Sequence, residues 1–210
     1  MIGANVRIAS LLFALAHPLS ALAGSLIGEF KFTRRAPSVA LVYFSEDNSL
    51  KEAGATVDQK DKQFVRKLMV GSSGSQIRFH NSDSVDHNIY ANDAKTGAKF
   101  DAGLLPPGET SQTDLNWKQD EVVRIGCKIH PKMQAYIANI ASVHHKIVEF
   151  EPKVESASFT LGGVPDKFSK IRVWFPKQDP IEVVMKKGEA SQIDIIENGK
   201  VSGTLKLVRK

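Results

Sequence analysis

The chain contains a single cysteine, Cys127, and His130 and Met133 follow it at even three-residue steps. A thiolate, an imidazole and a thioether presented together make a donor set that suits copper. The run from Val122 to Cys127 alternates as a half-buried strand does. Val123, Ile125 and Cys127 share one face, and Arg124 and Gly126 share the other. The pattern predicts Cys127 pointing inward at a strand end, with His130 and Met133 in the short loop that follows.

A trigonal copper site takes two imidazoles, one thiolate and a weak axial thioether. The loop supplies one of each, so the second imidazole has to come from elsewhere. His17 lies in an N-terminal apolar segment, and His144 and His145 lie beyond the next strand. His80 shares an outward face with Arg78 and reads as a surface residue. His87 shares an inward face with Val85 and Ile89, which makes it the candidate. Other chemistries fit less well. Covalent haem needs a second cysteine, and a zinc site seldom takes methionine. A cysteine nucleophile with its base three residues away in a tight loop has no third group and no oxyanion hole. For Cys127 alone a buried core thiol would be the plain reading; the His130 and Met133 that follow displace it. Lys128 and Lys132 read as solvated, and the pair His144-His145 as a solvated strand start.

The elements that must position these residues are short strands. They are expected near Gly24–Thr33, Val39–Phe44, Phe64–Val70, Gln76–Asn81, Val85–Tyr90, Gln112–Trp117, Glu121–Cys127 and Tyr136–Ala141, separated by Gly, Pro, Asn and Ser turns. Asn92 to Gly103 reads as irregular. Six further strand-like runs follow between His145 and Val208, with turns at Gly162-Gly163, Pro176, Pro180, Lys187-Gly188 and Asn198-Gly199. This is an all-β pattern. It divides into a copper-bearing sandwich over 24–141 and a smaller C-terminal β-sandwich over 142–210 without a catalytic constellation.

Residues 1–23 read differently. Arg7 is the only charge there, the apolar run Ile8 to Ala16 is too short to span a bilayer, and Ala21-Leu22-Ala23 fits signal-peptidase cleavage. The expectation is an export signal cleaved after Ala23, a periplasmic protein and no membrane span in the mature form. A single cysteine cannot close an internal disulfide, and a free exposed thiol would be at risk in an oxidising compartment. The net charge of +5 falls to +4 without Arg7 and is spread along the chain, which excludes the basic stripe of a nucleic-acid binder.

Two segments carry a resemblance to the cupredoxins. Asp86-His87-Asn88-Ile89 resembles the plastocyanin-type segment in which an upstream ligand histidine is followed by asparagine. Cys127-Lys128-Ile129-His130-Pro131-Lys132-Met133 resembles the short loop of amicyanin, with its proline after the histidine. The spans Asp58-Gln59-Lys60-Asp61-Lys62-Gln63-Phe64 and Gly126-Cys127-Lys128-Ile129-His130 also resemble exported plastocyanin-like proteins of the methylamine-utilisation group. The resemblance implies a Greek-key β-sandwich and one type I copper ion. It implies His87, Cys127 and His130 as equatorial ligands, Met133 as axial ligand, and an Asn88 amide tying the upstream segment to the cysteine loop. It implies a non-enzymatic carrier of single electrons between redox protein partners. An apolar surface usually surrounds the exposed ligand histidine in that family, whereas Lys128, Lys132 and Asp86 stand nearby here. In the tail, Phe159 to Pro165 and Arg172 to Pro176 resemble the small transthyretin-like sandwich of carboxypeptidase-regulatory modules. The same ligands would equally serve a copper-binding protein for tolerance or delivery, or survive as a vestige in a structural envelope protein.

Overall fold

The computed structural model describes residues 24–210, so the export signal expected over 1–23 lies outside the described residues. Among the described residues every regular element is a strand. Along the chain these are β1 (Gly24–Phe32), β2 (Val39–Phe44), β3 (Ala55–Lys60), β4 (Gln63–Phe64), β5 (Leu68–Gly71), β6 (Gln76–Asn81), β7 (His87–Asp93), β8 (Ala98–Leu105), β9 (Thr110–Asp114), β10 (Glu121–Cys127), β11 (Gln134–Asn139), β12 (His145–Glu149), β13 (Ser156–Val164), β14 (Lys170–Trp174), β15 (Ile181–Val184), β16 (Ala190–Glu197) and β17 (Lys200–Arg209).

The strands form four sheets. Sheet 1 runs β13-β1-β17-β16 and sheet 2 runs β12-β2-β14-β15; sheet 3 runs β5-β11-β10-β7-β8 and sheet 4 runs β4-β3-β6-β9. Three apolar clusters lie between them. Leu26, Phe30, Val42, Phe44, Val173 and Leu205 belong to the core between sheets 1 and 2. Val57, Phe79, Ile89, Val123, Ile125 and Ile137 belong to the core between sheets 3 and 4. Val39, Leu41, Tyr43, Tyr136, Ala138 and Trp174 join sheet 2 to sheet 3. The molecule is thus two β-sandwiches packed face to face.

The strand pairing corrects the expected division at residue 141. β1 and β2, expected in the unit that carries Cys127, pair with C-terminal strands instead: β1 with β13 and β17, and β2 with β12 and β14. The C-terminal sandwich is therefore a host whose first two strands come from the N-terminal end of the described chain, and the Cys127 sandwich is inserted between β2 and β12. Alternation in a sequence marks a strand and its faces but does not name its partner. β2 carried a clue in being apolar throughout. All six of its residues are buried, Ala40, Val42 and Phe44 toward sheet 1 and Val39, Leu41 and Tyr43 toward sheet 3. A strand covered on both faces reads as a continuous apolar run. β11 repeats this, with Ala135 and Ile137 on one side and Tyr136 and Ala138 on the other.

The inter-sandwich contact rests on apolar burial. Tyr136 and Trp174 meet edge to face at 5.0 Å, and each large side chain so buried contributes about 1.5–3 kcal/mol. Arg172 bridges toward Asp120 at 3.8 Å and Glu182 at 3.0 Å. The pair Lys95–Asp179 is solvent-exposed and adds little. Both chain crossings between the sandwiches meet at Asp47, which is 2% exposed. Its carboxylate accepts from Ser49, from the Ser142 hydroxyl, and from the His144 main chain and ring. Leu50 N–H adds a bond to the Ala141 carbonyl at 2.7 Å.

Local differences from the sequence reading have physical causes. Residues 92–103, read as irregular, form the β7–β8 hairpin around Lys95-Thr96-Gly97. The expected Phe64–Val70 strand is split into β4 and β5, which pair with different sheets. Gly162-Gly163, read as a turn, is a bulge in β13 opposite Ser25, with Gly163 at φ 75°. The Asn198-Gly199 turn is as expected: both residues have positive φ, as a tight two-residue hairpin requires.

Candidate metal centre

β7 and β10 are antiparallel neighbours, with Cys127 paired to Ile89 and Gly126 to Tyr90. That register sets the start of β7, His87, beside the end of β10, Cys127. Cys127 lies on the face shared with Val123 and Ile125 and is 2% exposed. Beyond it the chain turns at Pro131-Lys132, closed by a bond from Met133 N–H to the His130 carbonyl at 2.9 Å, and returns along β11. The turn brings His130 back over the strand end.

His87, Cys127 and His130 converge there. The Cys127 Sγ lies 3.7 Å from His87 Nδ1 and 3.6 Å from His130 Nδ1, and the two nitrogens are 3.2 Å apart. A point about 2.0 Å from all three atoms exists, close to the ~2.0–2.3 Å of metal–imidazole and metal–thiolate bonds. His87 is fully buried, His130 is half-buried, and Met133 sits in the same core as Cys127. Burial, with His87 alongside, holds the His130 imidazole below its usual value and so favours the neutral, ligating ring. A cysteine sulfur with two imidazole nitrogens is a donor set that fits a soft to borderline ion such as copper.

The surroundings orient the donors. Asn88 ties the two segments through its main chain: its N–H points at Cys127 Sγ, 3.4 Å away, and its carbonyl accepts from Lys128 N–H at 2.9 Å. The Asn88 side-chain Oδ1 is buried with no hydrogen-bond partner among the described residues. On the far side of His87, Nε2 lies 3.1 Å from Asp83 Oδ2. The backbone N–H of Lys62, with further bonds from Ser84 and His87, holds the Asp83 carboxyl down to about 2. Asn81, fully buried, donates to the Val85 and Leu105 carbonyls and accepts from Asp83 N–H, which fixes the loop before His87.

Three of the residues singled out in the sequence thus come together around one point, and Met133 is buried in the same apolar core as Cys127. The other described histidines lie elsewhere. His80 bonds Thr110 at 3.1 Å, His144 joins Asp47, and His145 bonds the Ser142 carbonyl. Sequence reasoning missed Asp83, taking Asn81 to Ser84 only as a strand break. The available signal was a carboxylate in a tight polar loop four residues before a candidate ligand. Lys128, read as solvated, reaches Asp101. Ile129, beside His130 in the loop, is half exposed, as is Leu104, the cross-strand partner of Asn88.

Fold and site together give an all-β protein with a His–Cys–His cluster at one end of a sandwich, the three nitrogen and sulfur donors that the sequence resemblance implies. Solved structures similar to this chain include a purple cupredoxin from Nitrosopumilus maritimus, at 18% identity over 42% of this chain and 98% of that one, with a TM-score of 0.34. Amicyanin from Paracoccus versutus matches at 10% identity over 50% of this chain and 99% of its own, with a TM-score of 0.36. A copper-containing nitrite reductase from Thermus scotoductus matches at 21% identity and a TM-score of 0.37, over 43% of this chain but only 23% of that one. No protein-family model matches the chain, and no curated protein matches it.

Proposed function

We propose that this is an exported, periplasmic type I copper protein that carries single electrons between redox protein partners and catalyses no reaction of its own. The observation that carries the reading is the triangle of Cys127 Sγ and two imidazole Nδ1 atoms around a common point about 2.0 Å from each. In this reading His87, Cys127 and His130 would hold the ion, and Met133 would add a weak thioether donor. Copper bound there would supply a one-electron couple. The chain's part is to hold the three donors in a fixed, dry geometry, so that little has to move when charge changes. His87 and Cys127 exclude water, and half-buried His130 is the ligand that reaches toward solvent. Such burial favours a retained ion over ready handover, and so a carrier over a copper-delivery protein.

Loading the purified protein with Cu(II) and recording visible and EPR spectra tests this. The expected result is an intense thiolate-to-copper absorption that Cys127→Ser abolishes. Met133→Leu is expected to keep the colour and raise the potential, because the axial bond tunes more than it holds. A wild-type protein that stays colourless with Cu(II) while Cys127 remains a free thiol overturns the reading.

A further inference from the structure

We propose that Asp83 is a positioning residue of this centre: it locks the His87 ring with Nδ1 free to bind, and its negative charge favours the more highly charged state of the bound ion. The proposal rests on the copper reading above.

The argument begins with the two ring nitrogens. His87 has no exposed surface, so its ring cannot turn to water for a partner. Its Nε2 faces Asp83 Oδ2 at 3.1 Å, and an ionised carboxylate only accepts. The proton therefore sits on Nε2. The Nδ1 lone pair is left facing Cys127 Sγ and His130 Nδ1, 3.7 and 3.2 Å away.

The carboxylate is itself held. Its Oδ2 accepts from Lys62 N–H at 2.7 Å and its Oδ1 from Ser84 N–H at 2.7 Å. Its own N–H is bound to the buried Asn81 side chain. The Lys62 N–H is presented by the β3–β4 turn, where Asp61 and Lys62 have φ of 53° and 54°. Non-glycine residues rarely adopt that conformation, and here it aims a donor at Asp83. The side chain is 8% exposed, so its charge is weakly screened. A main-chain carbonyl in its place would orient the ring equally well but would bring no net charge. The choice of aspartate is thus an electrostatic one: it makes the imidazole a stronger donor and stabilises the oxidised, more positive ion.

Asp83→Asn keeps the shape and one acceptor oxygen for His87 and Lys62, loses the other at the Ser84 N–H and removes the charge; Asp83→Leu removes the acceptors and the charge. Nitrogen–proton NMR of the metal-free protein is expected to show His87 as the Nε2–H tautomer in the wild type and a mixture in Asp83→Leu. In copper-loaded protein, Asp83→Asn is expected to raise the reduction potential and weaken Cu(II) binding by about 10- to 100-fold, with Cu(I) binding changed less. A purely structural role for Asp83 would lower thermal stability and leave the potential where it was, and that outcome overturns the proposal. So does an unchanged tautomer in Asp83→Leu. If Asp83→Leu does not fold, the potential of Asp83→Asn decides alone. If the wild type takes up no copper, the copper reading and the tuning role fall together, while the metal-free tautomer still decides whether Asp83 holds the ring.

Discussion

Between sheets 1 and 2 the core is built from phenylalanine: Phe30, Phe32, Phe44, Phe150, Phe159 and Phe175 are all buried there, with Phe150 edge-on to Phe30 and Phe32 at 5.1 and 5.0 Å. Between sheets 3 and 4 the filling is mostly aliphatic, and the polar residues Gln59, Asn81, His87 and Asn139 are fully buried in that sandwich. Among the described residues of the host, the one fully buried charge, Arg209, closes a corner, donating to the Val164 and Pro165 carbonyls and stacking over Phe44. In the insert, Asn81 and His87 serve the end where the donors meet. Each buried polar group costs stability unless it is paired. An aromatic, apolar host beside an insert with a polar-rich end is therefore a division of labour: one sandwich supplies apolar burial, the other tolerates the polar groups that chemistry needs.

The most drastic way to break this comparison is to cut the chain at residue 141. The sequence division suggests that 24–141 is self-sufficient, but the strand pairing gives β1 and β2 no partners in that fragment. It is expected to be insoluble; a soluble, cooperatively folded 24–141 would contradict the host–insert arrangement. Trp174→Ala attacks the seam between the sandwiches. It should cost about 3–5 kcal/mol and resolve calorimetric unfolding into two transitions, with copper colour persisting in whichever contains Cys127.

Asp47→Asn at the crossing should cost about 1–3 kcal/mol at neutral pH, the penalty for disturbing a buried, multiply bonded carboxylate. Burial pushes the Asp47 carboxyl up, but hydrogen bonds from Ser49 and His144 outweigh it and leave it well below the usual carboxylate range. A depressed value means that its stabilisation is complete above about pH 4 and fades as pH falls toward the folded value. Wild-type denaturant midpoints should drop with acid across that window, and the variant's should drop less. The smallest effect is expected from His80→Ala. His80 bonds only Thr110 through its ring and is not among the clustered donors, so its loss should change stability by less than about 0.5 kcal/mol and leave the spectrum untouched.

The sequence shows why some of this was legible. Cys127, His130 and Met133 are close in the chain, so a strand and one turn suffice to place them, and the inward face of His87 follows from period two. Strand partners are a different matter. Nothing local in Gly24–Phe32 says that it pairs with a strand near residue 205, because that register is set by two sheets closing on a shared core. Asp83 was only half legible for a related reason: its place four residues before His87 could be read, but the Lys62 N–H that holds its carboxylate is delivered by a hairpin from another strand.

The pairing of β1 with β17 also orders events during synthesis. A chain emerging from the ribosome presents β1 and β2 before the insert, and they must wait for the whole insert before their first partners, β12 and β13, appear, with β17 coming last. The strands of sheets 3 and 4 are complete much sooner, since they lie within one uninterrupted stretch. Long-range closure is slow because the entropy of a large loop is lost before any contact repays it. The insert is therefore expected to fold first and to present the outer face of β11 as a template on which β2 docks. The host, though it holds both ends of the described chain, would be the last part to form.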